Sequence, residues 1–386
     1  MKKLSFFIIS AMLLTNCSSI GKETSAKLWS LRADSSSRSL ITNFWNTTHY
    51  YFNASSDVDS WGNHYWPQAH ALDVLVDAYL RSGDDFYKVY FTQWLEGVHR
   101  ANGNKWANNY IDDMEWIGLA ALRAYHATGI EGFLTACKEV WDGTVDDMED
   151  PNAAFGIKRA WTDDGGGGIF WESRRNRLSK NACSNGPAAI LAAHLYQAFG
   201  DKDNLEWAKR IYAWEKLYLF NSETGAVSDN LKAETGVTNK RVYTYNQGTF
   251  IGAAVELFKI TGEKMYIDDA IKAADYTITA MINADDTLLR GEGSGDGGLF
   301  KGIFIRYFVQ LIMSDGINND VRTRYITFLK HNAETLWNEG ANKEKVLFGP
   351  YWKTPPVDNT GHTEHLSGCM LIEGMALLSK KGSTSI

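Results

Sequence analysis

Apolar residues recur at three- and four-residue spacing through most of the chain. The pattern holds in 66–82, 86–101, 112–128 and 131–148, and again in 183–199, 203–219, 246–261, 264–283, 300–314, 320–338 and 363–379. That is the period of helices with a buried face. With a further stretch around Trp45, over 38–53, it predicts about twelve helices. Short turns occur at Arg81-Ser82-Gly83-Asp84, Ala127-Thr128-Gly129-Ile130, Ala198-Phe199-Gly200-Asp201 and Ile260-Thr261-Gly262-Glu263. In each, the glycine can close one helix in the left-handed conformation before the next begins. The helix before such a turn is rich in small and apolar residues, as in Gly186-Pro187-Ala188-Ala189-Ile190-Leu191-Ala192-Ala193. The helix after it carries charge on one face, as in Asp203-Asn204-Leu205-Glu206-Trp207-Ala208-Lys209-Arg210. Helices apolar on most sides are buried and one-sided helices lie outside. Six inner-then-outer pairs predict an all-α fold, an (α/α)6 barrel; a two-layer helical solenoid is the structural alternative. No linker or composition break divides 38–380, which is expected to be a single domain.

In such a barrel the long connections gather at one end and lead into the inner helices. The polar and glycine-rich stretches fall there: Asn108–Asp113, Thr162–Gly168, Ser184–Gly186, Tyr243–Gly248, Glu292–Gly298 and His362–His365. Their convergence predicts a site at that end.

The first segment has a different character. Lys2 and Lys3 precede an apolar run from Leu4 to Leu14, followed by Cys17. A basic start and a short apolar run make a secretory signal, too short to span a bilayer. Cys17 resembles the lipidation site of a bacterial lipoprotein; ordinary cleavage nearby, discarding Cys17, is the alternative. Residues 1–17 are thus expected as a signal segment and the Ser-rich 18–37 as a tether. The expected location is the bacterial cell envelope, on the outer-membrane surface or the periplasmic side, with membrane contact through the lipid alone. Cys137, Cys183 and Cys369 remain as free thiols, with no C-x-x-C spacing to suggest zinc, so neither a disulfide framework nor a structural metal is expected.

Composition narrows the partner. With 46 acidic against 39 basic residues the net charge is −7, which disfavours nucleic acid. Fourteen Trp, 18 Tyr and 18 Phe exceed the usual share. Many rings suit a core, but flat indoles also stack on sugar faces. Lone tryptophans in outer helices, such as Trp94, Trp141, Trp207 and Trp337, are expected in the core.

Asp112-Asp113 is the first candidate for chemistry. A glycosidase needs one carboxyl kept protonated as acid and one ionised as nucleophile or base. Adjacent residues at a helix start bring the two groups close, so repulsion raises one pKa while free helix N–H groups stabilise the other as the anion. Asp112-x-x-Glu115 also fits a capping box, which needs no catalysis. Asp146-Asp147 and Asp268-Asp269 sit in outer-helix patterns and are expected to be solvated. Gly165–Gly168 lacks the ending of a phosphate loop and suits either a close backbone approach to a ligand beside Trp171 or a plain flexible loop. Tyr245-Asn246-Gln247-Gly248 offers amides suited to sugar hydroxyls, or N-capping by Asn246. His362 and His365 lack a metal-ligand partner set, and solvated or core roles are expected.

At these residues the sequence resembles glycoside hydrolase family 76. The match is carried by Asn109-Tyr110-Ile111-Asp112-Asp113-Met114-Glu115-Trp116, Gly166-Gly167-Gly168-Ile169-Phe170-Trp171, Asn185-Gly186-Pro187, Thr244-Tyr245-Asn246-Gln247-Gly248 and Phe300-Lys301-Gly302-Ile303-Phe304-Ile305-Arg306-Tyr307, in that order. The resemblance implies an (α/α)6 barrel acting as a retaining endo-α-1,6-mannanase on mannan backbones, as a monomer with no metal or organic cofactor. It implies Asp112 as nucleophile and Asp113 as acid/base. The candidate substrate contacts are Asn109, Tyr110, Gly166, Gly167, Trp171, Asn185, Tyr245, Asn246, Gln247, Phe300 and Lys301. Rival readings are a helical-barrel enzyme of other specificity, such as an unsaturated-uronyl hydrolase or a sugar epimerase, and a non-catalytic glycan-binding lipoprotein.

Overall fold

The computed structural model describes residues 5–143, 156–173 and 178–381, with side chains from Thr24 onward. The Asp146-Asp147 pair, Lys2, Lys3 and the Cys17 side chain lie outside what is described. Among the described residues there are twelve α-helices. Six form a closed inner ring: α2 (Tyr65–Ser82), α4 (Ile111–Thr128), α6 (Ala182–Phe199), α8 (Thr244–Thr261), α10 (Asp296–Met313) and α12 (His362–Lys380). Each packs on the next and α12 closes on α2. The outer layer is α1 (Ser5–Phe44), α3 (Lys88–Ala101), α5 (Glu131–Asp142), α7 (Lys202–Tyr218), α9 (Lys264–Ala280) and α11 (Asn319–Thr335). This is the (α/α)6 barrel that the alternation of buried and one-sided helices predicts.

The division follows from composition. In α6 every residue from Ala182 to Ala193 is buried, because small side chains let neighbouring helices approach on all sides. In α5 burial is confined to Phe133, Ala136, Cys137, Val140 and Trp141, a single stripe at helical spacing. The short turns close as expected. Gly83, Gly129, Gly200 and Gly262 all have φ between 68° and 74°, and each N–H returns to the carbonyl four residues earlier. A β-carbon at any of them would meet nothing within 4 Å, so backbone conformation alone demands glycine.

Three expectations about boundaries change. The stretch 38–53 is not one helix: α1 ends at Phe44, and β1 (Trp45–Asn46) pairs with β2 (Tyr51–Phe52) in a hairpin. The Asn46 side chain accepts from the N–H groups of Thr48 and His49 and so folds the chain back. The helix expected over 131–148 stops at Asp142, where Gly143 takes a φ of 66°. The stretch expected as a tether, 18–37, lies within α1 and packs into the domain from Trp29, which is 3% exposed, through the buried Ala33, Ser36 and Ser37. The serines are small enough for close packing on α12, and Ser37 donates to the buried Glu373 at 2.7 Å. Asp269 also departs from expectation: it is buried and accepts from Tyr212 and Lys216, while Asp268 stays exposed.

His362 and His365 are core residues, with Phe44 stacked on His365 at 5.1 Å and burial pushing His365 down to about 3. Trp94 and Trp141 are buried, and Trp207 and Trp337 pack against the core from outside. The long connections meet at the N-terminal ends of the inner helices. There β3 (Ser179–Asn181), β4 (Asn230–Lys232) and β5 (Val237–Asn239) form a small antiparallel sheet, ahead of α6 and α8, that walls the barrel mouth.

Candidate active site

The entry to α4 is fixed by its neighbour strand. Ile111 N–H donates to the Trp171 carbonyl at 2.9 Å, and Ser173 N–H to the Asn109 carbonyl at 2.9 Å. Tyr110 is the N-cap residue, extended and without a side-chain cap bond, so the first-turn N–H groups are left for other acceptors. Asp112 and Asp113 are the second and third residues of the helix. A capping box does not form: Asp112 is already inside the helix, and both carboxyl oxygens of Glu115 are buried without a hydrogen bond.

The two aspartates sit in different environments. Burial raises Asp112 to about 6, offset in part by the nearby Cys183 thiol, the first-turn N–H groups of Asp112 and Asp113 and the Trp171 indole, which all favour its anion. Asp113 has no such offset. Burial, then the charges of Asp112 and Asp296, hold its carboxyl well above the ordinary range. At neutral pH the arrangement therefore favours an ionised Asp112 beside a protonated Asp113.

The pair lies in a cleft of about 810 Å³. On one side Tyr110 meets Trp171 with ring centroids 5.2 Å apart. On the other, Tyr245 stacks on Phe300 at 4.0 Å, with Tyr243 edge-on to Phe300 at 5.4 Å. Trp66 donates its indole N–H to Asp296 at 3.0 Å. Asp229 accepts from Asn230 at 2.9 Å and Asn239 at 3.1 Å. With Asp112, Asp113, Asp229 and Asp296 facing Lys232, the wall is acidic.

Of the residues singled out from sequence, Asp112, Asp113, Tyr110, Trp171, Tyr245 and Phe300 line this cleft together. The others stand behind it. Asn109 contributes backbone to the strand pairing. The glycine run does not line the cleft and is packed against protein rings: β-carbons on Gly166, Gly167 and Gly168 would collide with Tyr218, Trp161 and Trp214. Asn185 holds the following segment in place, accepting from Ile169 N–H at 2.9 Å and donating to its carbonyl at 3.1 Å. Gln247 bonds Val227 N–H and the carbonyls of Gly225 and Ala273. Asn246 is buried behind Asp229, and the N-cap of α8 is Tyr243 instead. Lys301 is buried over Trp352, donates to the Pro350 carbonyl at 2.8 Å, and is pushed down to about 7 by burial.

Sequence reading missed Cys183, Asp229, Lys232, Trp66 and Trp116. One signal was available. Trp66, Asp112, Cys183 and Tyr245 are each the second residue of an inner helix, α2, α4, α6 and α8, and all four line the cleft. Asp229 and Lys232 come from β4 and the residue before it, a strand too short to leave a periodic trace.

The sequence matches the profile of glycosyl hydrolase family 76 over residues 29–385. The GH76A α-1,6-mannanase of Salegentibacter sp. HEL1_6 superimposes with a TM-score of 0.83 at 39% identity, over 91% of this chain and 99% of that one. An inactive variant of that enzyme, with two consecutive aspartates replaced by alanine, is known in complex with α-1,6-mannotetrose. The mannan endo-1,6-alpha-mannosidase DCW1 of Candida glabrata is 30% identical over 112 residues, 26% of this chain and 24% of that one. The DCW1 protein of Eremothecium gossypii is 23% identical over 282 residues, 65% of this chain and 54% of that one. The chain thus spans between about a quarter and about half the length of these yeast relatives.

Proposed function

The chain belongs to glycosyl hydrolase family 76 and is a glycoside hydrolase, and from that premise we propose that it is a retaining endo-α-1,6-mannanase with Asp112 as nucleophile and Asp113 as acid/base. The observation that carries this reading is the pair of adjacent carboxyls in an aromatic-walled cleft, Asp112 beside groups that favour its anion and Asp113 facing the charges of Asp112 and Asp296. Asp113 gives its proton to the glycosidic oxygen as the Asp112 carboxylate attacks the anomeric carbon and the bond to the leaving chain breaks. Asp113, now ionised, takes a proton from water. The resulting hydroxide attacks the same carbon, releasing Asp112 and the new reducing end. The α-1,6-mannan specificity is supported by the named activity of the Salegentibacter enzyme and by the aspartate pair its inactive variant lacks.

The rival readings lose support. An acidic cleft repels uronic acids, His362 and His365 are sealed in the core where an epimerase would need them exposed, and a purely binding protein has no use for paired acids. Purified protein should rapidly shorten an unbranched α-1,6-mannan, measured by size-exclusion chromatography. Activity should rise through pH ~6 as Asp112 ionises and fall on the alkaline side as Asp113 loses its proton. An unchanged chain length at every pH would refute the assignment.

Action as a monomer belongs to the same proposal, since all the residues named in the mechanism come from one chain. Lipid attachment at Cys17, in the cell envelope, belongs to the same proposal. Arg81, at the C-terminal end of α2, bonds Ser30 and Asp34, while Phe44 meets His362 and His365 near the cleft end. The chain before Trp29 therefore approaches from the end opposite the cleft, and an anchored enzyme would present its cleft away from the membrane. Cys17→Ala should move the protein from the membrane to the soluble fraction; a soluble, unlipidated wild type in its native kind of cell would rule the anchor out.

A further inference from the structure

The small sheet at the barrel mouth has two unlike faces. In an antiparallel sheet, residues directly opposite each other share a face, and alternate residues along a strand turn the other way. The register sets Asn181, Asn230 and Asn239 in one row and Ser179, Lys232 and Val237 in the next. Ser179, Asn181, Asn230 and Lys232 all line the cleft, so both rows face it. The Asn239 amide puts β5 on the same side, since it donates to Asp229, itself a cleft residue. The intervening positions pack inward: Lys180 and Leu231 are buried, and the Lys180 ammonium donates to the Gly168 carbonyl at 2.7 Å.

The two rows stand at different distances from the chemistry. Asn181 immediately precedes α6, whose second residue, Cys183, lines the cleft with Asp112. The row of Lys232 and Val237 lies two residues further out along the strands, roughly 7 Å. In the inner row the Asn230 and Asn239 amides are already engaged with Asp229. In the outer row Lys232 is exposed, and among the described residues it is the single lysine or arginine lining the cleft and has no carboxylate partner. Val237 beside it is 60% exposed. N–H donors next to an apolar surface suit a sugar ring, which carries hydroxyls on its rim and C–H groups on its face.

We infer that the outer row of this sheet, Lys232 with Val237, is a distal sugar subsite that engages a mannan unit beyond those held at Asp112 and Asp113, and so favours long chains over short ones. The inference rests on the mannanase reading and adds to it the place where the enzyme gains a preference for polymer. Lys232 takes no part in bond cleavage. Its ammonium donates to hydroxyls of the distant unit while Val237 meets the ring face, and that binding energy is open only to substrates long enough to reach the outer row.

The test compares kcat/KM on α-1,6-mannohexaose with kcat/KM on α-1,6-mannotriose, with Tm measured for each variant. The wild type should prefer the longer substrate. Lys232→Met keeps the aliphatic stem and removes the donors, so the ratio of the two values should fall roughly five- to thirtyfold without a change in Tm. Lys232→Arg, which keeps the charge and the donors, should restore most of the ratio. A ratio unaltered by Lys232→Met, or a wild type that gains nothing from the longer chain, would leave the sheet a solvated wall and overturn the subsite. A wild type that cleaves neither oligosaccharide would instead overturn the mannanase reading on which the subsite rests.

Discussion

Asp112→Asn is expected to lower turnover of α-1,6-mannan by about four orders of magnitude or more, the loss seen when a residue central to covalent catalysis is removed. Asparagine has the shape of aspartate but cannot form the glycosyl ester. The fold should survive. Burial already works against the Asp112 charge, so an amide in its place relieves a cost while changing what its neighbours meet, and the net change in stability should stay within ~1–2 kcal/mol. A stability loss without a catalytic one would contradict the assignment, because a purely structural Asp112 is the reading that predicts it.

Asp113→Ala should fail differently. Its carboxyl is kept protonated by burial and by the charges of Asp112 and Asp296, which suits it to protonate a poor leaving group. Without it, a sugar alkoxide cannot depart, and activity on mannan should fall by at least three orders of magnitude. An aryl mannoside with an acidic phenol needs no such help, so Asp112 should still be glycosylated quickly. Deglycosylation should then stall, because no base remains to activate water. Intact-protein mass spectrometry should show one added glycosyl group, located on Asp112 after peptide mapping. Equal losses on mannan and on the activated substrate, with no adduct, would remove Asp113 from the acid/base role.

Much of this was legible in the sequence because a helical barrel writes its architecture locally. Gly83, Gly129, Gly200 and Gly262 mark the inner-to-outer turns by backbone requirement alone, and the contrast between α6 and α7 separates the layers before any contact is known. The aspartate pair was legible as chemistry and an asymmetry was expected of it, but which carboxyl takes which role came only from the family resemblance. In the structure the assignment depends on Trp171 and Cys183 lining the cleft beside Asp112, residues that lie far from it in sequence and reach it only when the barrel closes. The glycine run misled for a related reason. Positive φ and close approach both require glycine, but nothing in Gly165–Gly168 says whether a sugar or the rings of Trp161, Trp214 and Tyr218 make the approach. Gln247 and Lys301 share motifs with cleft residues and Asn185 follows Cys183 by two residues, yet all three turn the other way, each tying a loop to the barrel. The Ser-rich start of the domain read as a tether because serine is polar, whereas against α12 its small size is what counts.

The proposal stands on the covalent step: adjacent aspartates are expected to hold their carboxyls too close to admit a water between Asp112 and the anomeric carbon. An inverting site separates its carboxyls by ~6.5–9.5 Å to admit that water, and a retaining one by only ~5–5.5 Å. The most direct measurement is proton NMR of the anomeric signal of fresh product, recorded during hydrolysis of an α-1,6-mannan oligosaccharide and before mutarotation. Two displacements at Asp112 predict that the first product carries the α configuration, with β appearing only as the sugar mutarotates. A first product in the β configuration would contradict the mechanism and place the attacking water, and the base that activates it, elsewhere in the cleft.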